Sequence, residues 1–138
     1  MMHTEAIMKS HPRRTFDPAV VRLIEACLDC AQSATACADA CLSEDMVNGL
    51  VACIGYNLDC ADICAATASI ATRAMGEGGG VCDSLLEACV RACRRSADEC
   101  SRHAAMHEHC RICAESCTAC ADACAALIGS TTPAVRAG

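Results

Sequence analysis

Residues 110–124 read CRICAESCTACADAC, which places five cysteines at successive spacings of three, four, three and four residues. Because an α-helix turns once every 3.6 residues, these cysteines fall along one stripe of a helix. The same rhythm is typical of the inward-facing a and d positions of a helical bundle, where leucine normally stands. The stretch therefore predicts a helix whose buried face carries thiols.

Three other segments repeat this rhythm with gaps at single positions. The gaps are filled by Ala34 in the first segment, Asn57 in the second, and Leu86 and Ser96 in the third. The inward stripes of four predicted helices then hold all 16 cysteines: Cys27, Cys30, Cys37, Cys41, Cys53, Cys60, Cys64, Cys82, Cys89, Cys93, Cys100, Cys110, Cys113, Cys117, Cys120 and Cys124.

Capping residues set the expected boundaries of the helices. Asp17 and Pro18 form a helix start, and the first helix is expected to run to about residue 42. Ser43, followed by two acidic residues, is interpreted as the cap of a second helix that ends near Gly76. The third and fourth helices are expected over residues 81–103 and 107–128, with a turn between them.

These lengths and short links predict an all-α fold, an antiparallel four-helix bundle with a cysteine-lined core. The bundle is expected over residues 17–129. Residues 1–16 form an N-terminal arm with room for a short helix around Glu5–Lys9, and residues 130–138 form a tail.

The composition excludes several classes of protein. The chain has 138 residues, enough for one domain, and its 28 alanines and 16 cysteines must build most of the interior. A net charge of −6 without a basic patch argues against a nucleic-acid partner. No stretch of 18 residues lacks charge, so no membrane span is expected. The first residues do not resemble a secretory signal, which favours a cytoplasmic, reducing location.

Thiols in this arrangement suit a soft metal ion. Residues three or four apart on a helix are neighbours, so a Cys-x-x-x-Cys pair can place two sulfurs beside one ion, whereas disulfide geometry fits poorly within a helix. Thiolates select Cu(I), Zn(II) or iron–sulfur clusters. Zinc knuckles and ferredoxin runs lie on turns and loops, so continuous lines along helices favour multiple Cu(I) ions.

Other readings of the cysteines stay open at this stage. One is a zinc or iron–sulfur carrier or sensor. Another is a dithiol redox protein that uses Cys27-x-x-Cys30 or Cys110-x-x-Cys113, although a redox site needs an exposed thiol of low pKa. The thiols could also serve only as small apolar side chains. Binding of multiple Cu(I) ions, without enzymatic activity, is the interpretation that uses all 16 inward positions.

Charge predicts how much copper the core holds. A Cu(I) ion between two thiolates of its own leaves one negative charge in a low-dielectric interior, and many such sites are costly. If each thiolate bridges two ions, one Cu(I) per cysteine gives neutrality, so loading is expected to reach about 16.

Antiparallel order brings the first and third turns of the bundle to one end, which we call the mouth. Imidazole and thioether ligands there could pass copper to the thiols. The expected residues are His103, His107 and His109, with Met46 and Met106 as weaker candidates.

Two runs resemble the cytosolic bacterial copper storage proteins, RHAAMHEHCRICAESC at 102–117 and NLDCADICAATASIATRAM at 57–75. The resemblance implies a four-helix bundle that binds many Cu(I) ions through its thiolates, with the histidines at the end where copper is admitted. It also implies a homotetramer that stores Cu(I). For a protein with this function, copper chaperones or cuproenzymes are the expected partners. Ala34 and Ser96 depart from it, since relatives can carry cysteine there, and this affects the continuity of the copper sites.

Overall fold

The computed structural model describes residues 2–74 and 80–129, and this part of the chain forms five α-helices without strands. The helices are α1 (Met2–Lys9), α2 (Pro18–Leu42), α3 (Val51–Ala74), α4 (Gly80–Arg102) and α5 (Glu108–Leu127), with a 3-10 turn at Val47–Leu50 before α3. The predicted stop at Gly76 and the predicted tail at 130–138 lie outside the described residues.

Helices α2 to α5 form the bundle, each packed against two neighbours in the cyclic order α2, α3, α4, α5. Sulfur contacts fix their directions, because Cys30 meets Cys117 while Cys37 meets Cys110, so α2 and α5 run in opposite directions. At a rise of about 1.5 Å per residue these helices are roughly 30–38 Å long. The predicted all-α antiparallel four-helix bundle is confirmed.

The start of α2 follows the predicted cap. The Asp17 carboxylate accepts the backbone N–H of Ala19 at 2.9 Å, and Pro18 occupies the first helical position. Pro suits that position because its missing N–H would have no partner in the helix.

The prediction that Ser43 begins the second helix is wrong. Ser43 instead ends α2, where its backbone N–H donates to the carbonyl of Ala40 at 3.0 Å. Helix α3 begins only at Val51, after the 3-10 turn. Asn48 and Gly49 are poor helix formers, which explains why the chain delays the helix. The longer link leaves Glu44 free to reach across the mouth.

Aliphatic side chains are buried near both ends of the thiol column. Leu23, Ile24 and Leu86 are buried at the end opposite the mouth, and Leu50 is buried near the mouth. Burial of each such side chain contributes about 1.5–3 kcal/mol. Because alanine and cysteine bury less apolar surface, these few large residues carry a disproportionate share of the stability.

The N-terminal segment contacts the bundle. Helix α1 is longer than the predicted Glu5–Lys9, and Met8 packs against the core. Arg14 donates a hydrogen bond to the backbone carbonyl of Arg73 near the end of α3.

One segment, Val47–Arg73, is long and apolar enough by length and composition to cross a membrane, with a mean hydropathy of 1.3. Its Cys53, Cys60 and Cys64 are buried in the bundle, against α2 and α4. The core helix of a helical bundle can have the same length and apolar composition as a membrane-spanning helix. The absence of a membrane span therefore stays a prediction.

Candidate metal centre

The thiols lie where the spacing places them, on the axis of the bundle. All fifteen cysteines whose side chains are described are buried and free, with at most 2% of each residue exposed. The side chain of Cys82 lies outside the described residues, although its backbone is part of the first turn of α4. The centre of the fold is therefore a column of sulfur.

Sulfur atoms approach one another both along and across the helices. Along one helix, Cys37 and Cys41 are 4.0 Å apart, and Cys60 and Cys64 are 3.9 Å apart. Across helices, the Cys53 and Cys100 sulfurs are 3.4 Å apart. A disulfide needs about 2.05 Å, so these are separate thiols at distances that an ion between them can bridge.

Larger groups of thiols have their sulfur atoms all within 4.8 Å of one another. One group consists of Cys27, Cys89, Cys120 and Cys124, and another of Cys30, Cys64, Cys93 and Cys120. Cys120 belongs to both groups. Shared membership means that a thiolate in this column can serve two ions at once.

His109 continues the column at the mouth. Its Nδ1 lies 3.4 Å from the Cys37 sulfur, 3.6 Å from the Cys110 sulfur and 4.0 Å from the Cys41 sulfur. These four residues form a group of one nitrogen and three sulfur atoms within 4.8 Å. The arrangement supplies an imidazole ligand to the outermost thiols.

Glu44 forms hydrogen bonds with two histidines at the mouth, His107 and His109. One carboxylate oxygen, Oε2, accepts from His109 Nε2 at 2.9 Å and from His107 Nδ1 at 2.8 Å. An ionised carboxylate only accepts, so Nε2 of His109 carries a proton and the lone pair of the neutral ring is on Nδ1, facing the thiols. Sequence reasoning missed this role of Glu44, and an acidic residue in the turn beside a histidine-rich turn was the available signal.

The charges at the mouth follow from these contacts. The hydrogen bond with His109 keeps the pKa of Glu44 below its usual value. Burial lowers the pKa of His109, whereas its hydrogen bonds with Cys37 and Glu44 raise it. Together with the nearby negative charges, the hydrogen bonds outweigh burial, so the pKa of His109 lies above its usual value. Hydrogen bonds from Cys100 and then from Cys113 and Cys53 lower the pKa of Cys37. The lowered pKa favours the thiolate form of Cys37 beside the imidazole of His109.

The other predicted residues of the mouth occupy different positions. His103 Nε2 is 2.9 Å from the carboxylate of Glu99, its partner one turn earlier in the chain. Met46 and Met106 are 66% and 71% exposed, so the structure does not bring their thioethers into the buried column. His109 is therefore the member of this set that directly faces thiols.

The gap positions of the sequence pattern meet in one polar layer. Asn57 and Ser96 are fully buried, and the Ser96 hydroxyl donates to Asn57 Oδ1 at 2.7 Å. The thiols of Cys100 and Cys113 donate to the same oxygen at 3.3 and 3.4 Å. Buried Ala34 on α2 belongs to this level of the bundle, because it lies between Cys30 and Cys37.

The bundle and its thiol column match a known protein family over most of the chain. Residues 17–129 match the family described as "Copper storage protein". The chain belongs to the copper storage protein family. The resemblance drawn from residues 102–117 and 57–75 is confirmed.

Solved members of the copper storage family share the fold. The chain is similar to the copper storage protein Ccsp from Streptomyces lividans loaded with 10 copper equivalents, with a TM-score of 0.84, 46% identity, and coverage of 91% of this chain and 97% of that one. A structure of copper loading to a cytosolic copper storage protein from Streptomyces lividans, with five coppers, gives a TM-score of 0.78 and 53% identity, over 80% of this chain and 92% of that one.

A curated relative extends the comparison to another organism. The uncharacterized cysteine-rich protein YhjQ of Bacillus subtilis (strain 168) is 35% identical over 92 residues, which are 67% of this chain and 80% of the relative.

Proposed function

We propose that this protein stores Cu(I) in the cytosol, bound by its 16 cysteine thiolates inside the bundle. The observation that carries the proposal is the column of buried free thiols, grouped so that their sulfur atoms lie within 4.8 Å of one another. Soft thiolates suit Cu(I). A relative with the same fold is described as a cytosolic copper storage protein, and the reducing cytosol keeps thiols available for metal.

The proposed stoichiometry is one Cu(I) per cysteine, about 16 in total. Cys120, Cys30 and Cys37 each belong to two of the groups, as bridging thiolates require. One monovalent ion for each thiolate leaves the buried core neutral. The cysteines with described side chains and Cys82 all enter this count.

Zinc is the main competing metal, because four thiols around one ion are a common zinc site. Two features favour copper. A zinc ion with four thiolates keeps two negative charges in the core, and structural zinc sites are closed sets of four ligands, whereas the groups here share members. A dithiol enzyme is disfavoured because the thiols are buried rather than exposed, and we propose no catalytic role.

The histidines of the mouth are proposed to admit copper. His109 faces the outermost thiols, and Glu44 joins it to His107. His103 is proposed to assist from its position beside Glu99. Met46 and Met106 are proposed as weaker contributors that meet copper at the exposed rim. Copper chaperones or cuproenzymes are the proposed donors and acceptors.

A homotetramer is the proposed assembly. Exposed apolar side chains on the outer faces of the bundle, such as Leu28, Leu58 and Ile112, support association between copies of the chain. Light scattering on the purified protein should give four times the chain mass of 14.3 kDa.

Metal analysis tests the proposed function. Protein produced in medium containing copper, zinc and iron, purified without oxygen, should contain copper in excess over the other two metals and be colourless. A brown protein with iron and sulfide, or a protein that holds zinc against added Cu(I), would contradict the proposal.

A further inference from the structure

Exposed apolar side chains surround the mouth, although holding copper in the thiol column does not require them. Four large ones lie there: Leu42 at the end of α2, Met46 in the turn that follows, Val51 at the start of α3 and Met106 in the turn before α5. Each of the four is at least 61% exposed. We call these four side chains the rim.

A contact across the mouth brings the two turns of the rim together. Glu44 Oε2 accepts a hydrogen bond from His107 Nδ1 at 2.8 Å, so the turn that carries Met46 lies against the turn that carries Met106. The other two rim residues border the first of these turns, at the end of α2 and the start of α3. The rim therefore frames the histidines and thiols that receive copper under the proposed function.

The groups that receive copper lie below the rim. Cys37, Cys41 and Cys110 are at most 2% exposed, and the side chain of His109 is 26% exposed. A carrier of Cu(I) holds the ion with soft ligands such as thiolates. To pass the ion to this group without releasing it to water, the carrier has to bring those ligands within bonding distance of the ion's new ligands. A carrier of protein size then places its surface on the rim.

The mouth also carries an excess of negative charge. Four acidic and two basic residues lie at this end of the bundle: Glu44, Asp45, Glu99, Glu108, Arg102 and Arg111. Arg102 is paired with Glu99 at 3.5 Å, and Arg111 is paired with Glu108. With neutral histidines, four negative and two positive charges leave a net charge of −2. Charge complementarity accelerates association and selects between partners, so this end favours a basic surface.

We infer that the rim is a docking surface for a small protein that carries Cu(I) on exposed thiolates within a basic and apolar surface. The inference rests on the proposed storage function and deepens it by naming the chemistry of the partner's surface. A protein surface removes the rim side chains from water, whereas a small thiol complex of copper gains little from them. A second copy of this chain brings an equally negative mouth, so charge repulsion disfavours a mouth-to-mouth pair.

Leu42 and Val51 separate docking from copper binding, because aliphatic side chains offer no ligand to a metal. The test variants are Leu42→Ser, Val51→Ser and the double variant. Both positions are exposed, so these substitutions should leave the fold intact. Ile7→Ser is the matched control, since Ile7 is also exposed but lies on α1, in the N-terminal segment that contacts the other end of α3 through Arg14.

Each variant receives Cu(I) without oxygen from two donors, Cu(I) glutathione and a small Cys-x-x-Cys protein that holds one Cu(I) and has lysines around its site. Native mass spectra at set times after mixing give the transfer rates. With the protein donor, the double variant should be about tenfold slower than the unmodified protein, a usual effect for two interface side chains, and Ile7→Ser should be unchanged. With Cu(I) glutathione, all variants should transfer at the same rate. Raising the ionic strength from 0.01 to 0.15 M shortens the screening length from about 30 Å to about 8 Å and should slow only transfer from the protein donor.

The outcomes separate this inference from the storage function. An unchanged rate from the protein donor in the double variant, or equal slowing with both donors, would overturn docking at the rim. A lower mass of the double variant in light scattering would assign the rim to a second copy of this chain and would also overturn it. The storage function fails in a different way, if the unmodified protein reaches only a low copper content with either donor.

Discussion

Glu44→Ala should weaken binding of the first copper without changing capacity. In the intact protein, Glu44 Oε2 accepts from His109 Nε2 at 2.9 Å and from His107 Nδ1 at 2.8 Å. These bonds keep His109 Nδ1 directed at the Cys37 sulfur, 3.4 Å away. Without the carboxylate, the imidazole is free to rotate or to carry its proton on Nδ1, and the ligand facing the thiols is lost for part of the time.

The expected size of the effect follows from the role of such carboxylates in other metal sites. Removing the carboxylate that orients a metal-binding histidine typically costs 10–100-fold in affinity. We therefore expect the first Cu(I) to bind about 10–100-fold more weakly. The final number of bound ions should not change, because the substitution removes no thiol.

The assay is an anaerobic competition titration against a Cu(I) chelator, with 15N spectra of the imidazoles to report the His109 tautomer. Glu99→Ala is the matched control, because Glu99 bonds to His103 at a similar 2.9 Å but that histidine does not face the outermost thiols. The reasoning is refuted if Glu44→Ala keeps the affinity and tautomer of the unmodified protein, or if Glu99→Ala weakens first-copper binding as strongly.

Two further predictions concern the protein without copper. Leu23 is fully buried at the end opposite the mouth, so Leu23→Ala should destabilise the fold by about 2–5 kcal/mol in denaturant unfolding. A loss below about 1 kcal/mol would contradict its role in the core. Burial raises the pKa of Cys41 from 9.0 to about 11 and also raises that of Cys110. The stabilisation from these protonated thiols is complete below pH 9 and is lost as pH rises through about 11, so Tm of the copper-free protein should fall over that interval. A Tm that stays constant between pH 9.0 and about 11 would contradict this prediction.

The fold could be predicted from the sequence because one physical signal dominates it. The three-four spacing of cysteine fixes the inward face of each helix, and Asp17 with Pro18 marks the start of α2. The boundary at Ser43 was wrong because the residue types that begin a helix also occupy the turns that end one. Only tertiary packing decides between the two, and here Leu50 is buried ahead of α3.

The arrangement of the site could be predicted only in outline. The periodicity indicates which face a thiol occupies, but contacts across helices depend on how far each helix is shifted along its neighbour. The sequence therefore left Asn57 and Ser96 as isolated gaps, whereas in the bundle they meet at 2.7 Å. The role of Glu44 was missed for the same reason, since 65 residues separate it from His109.

Anaerobic titration of the fully reduced protein with Cu(I) tests the central claim most directly, with the number of bound ions read from native mass spectra. Bridging thiolates in a neutral core predict saturation near one ion per cysteine, about 16 for the chain. Saturation near half that number would mean that each ion takes two thiolates of its own, and would contradict the account.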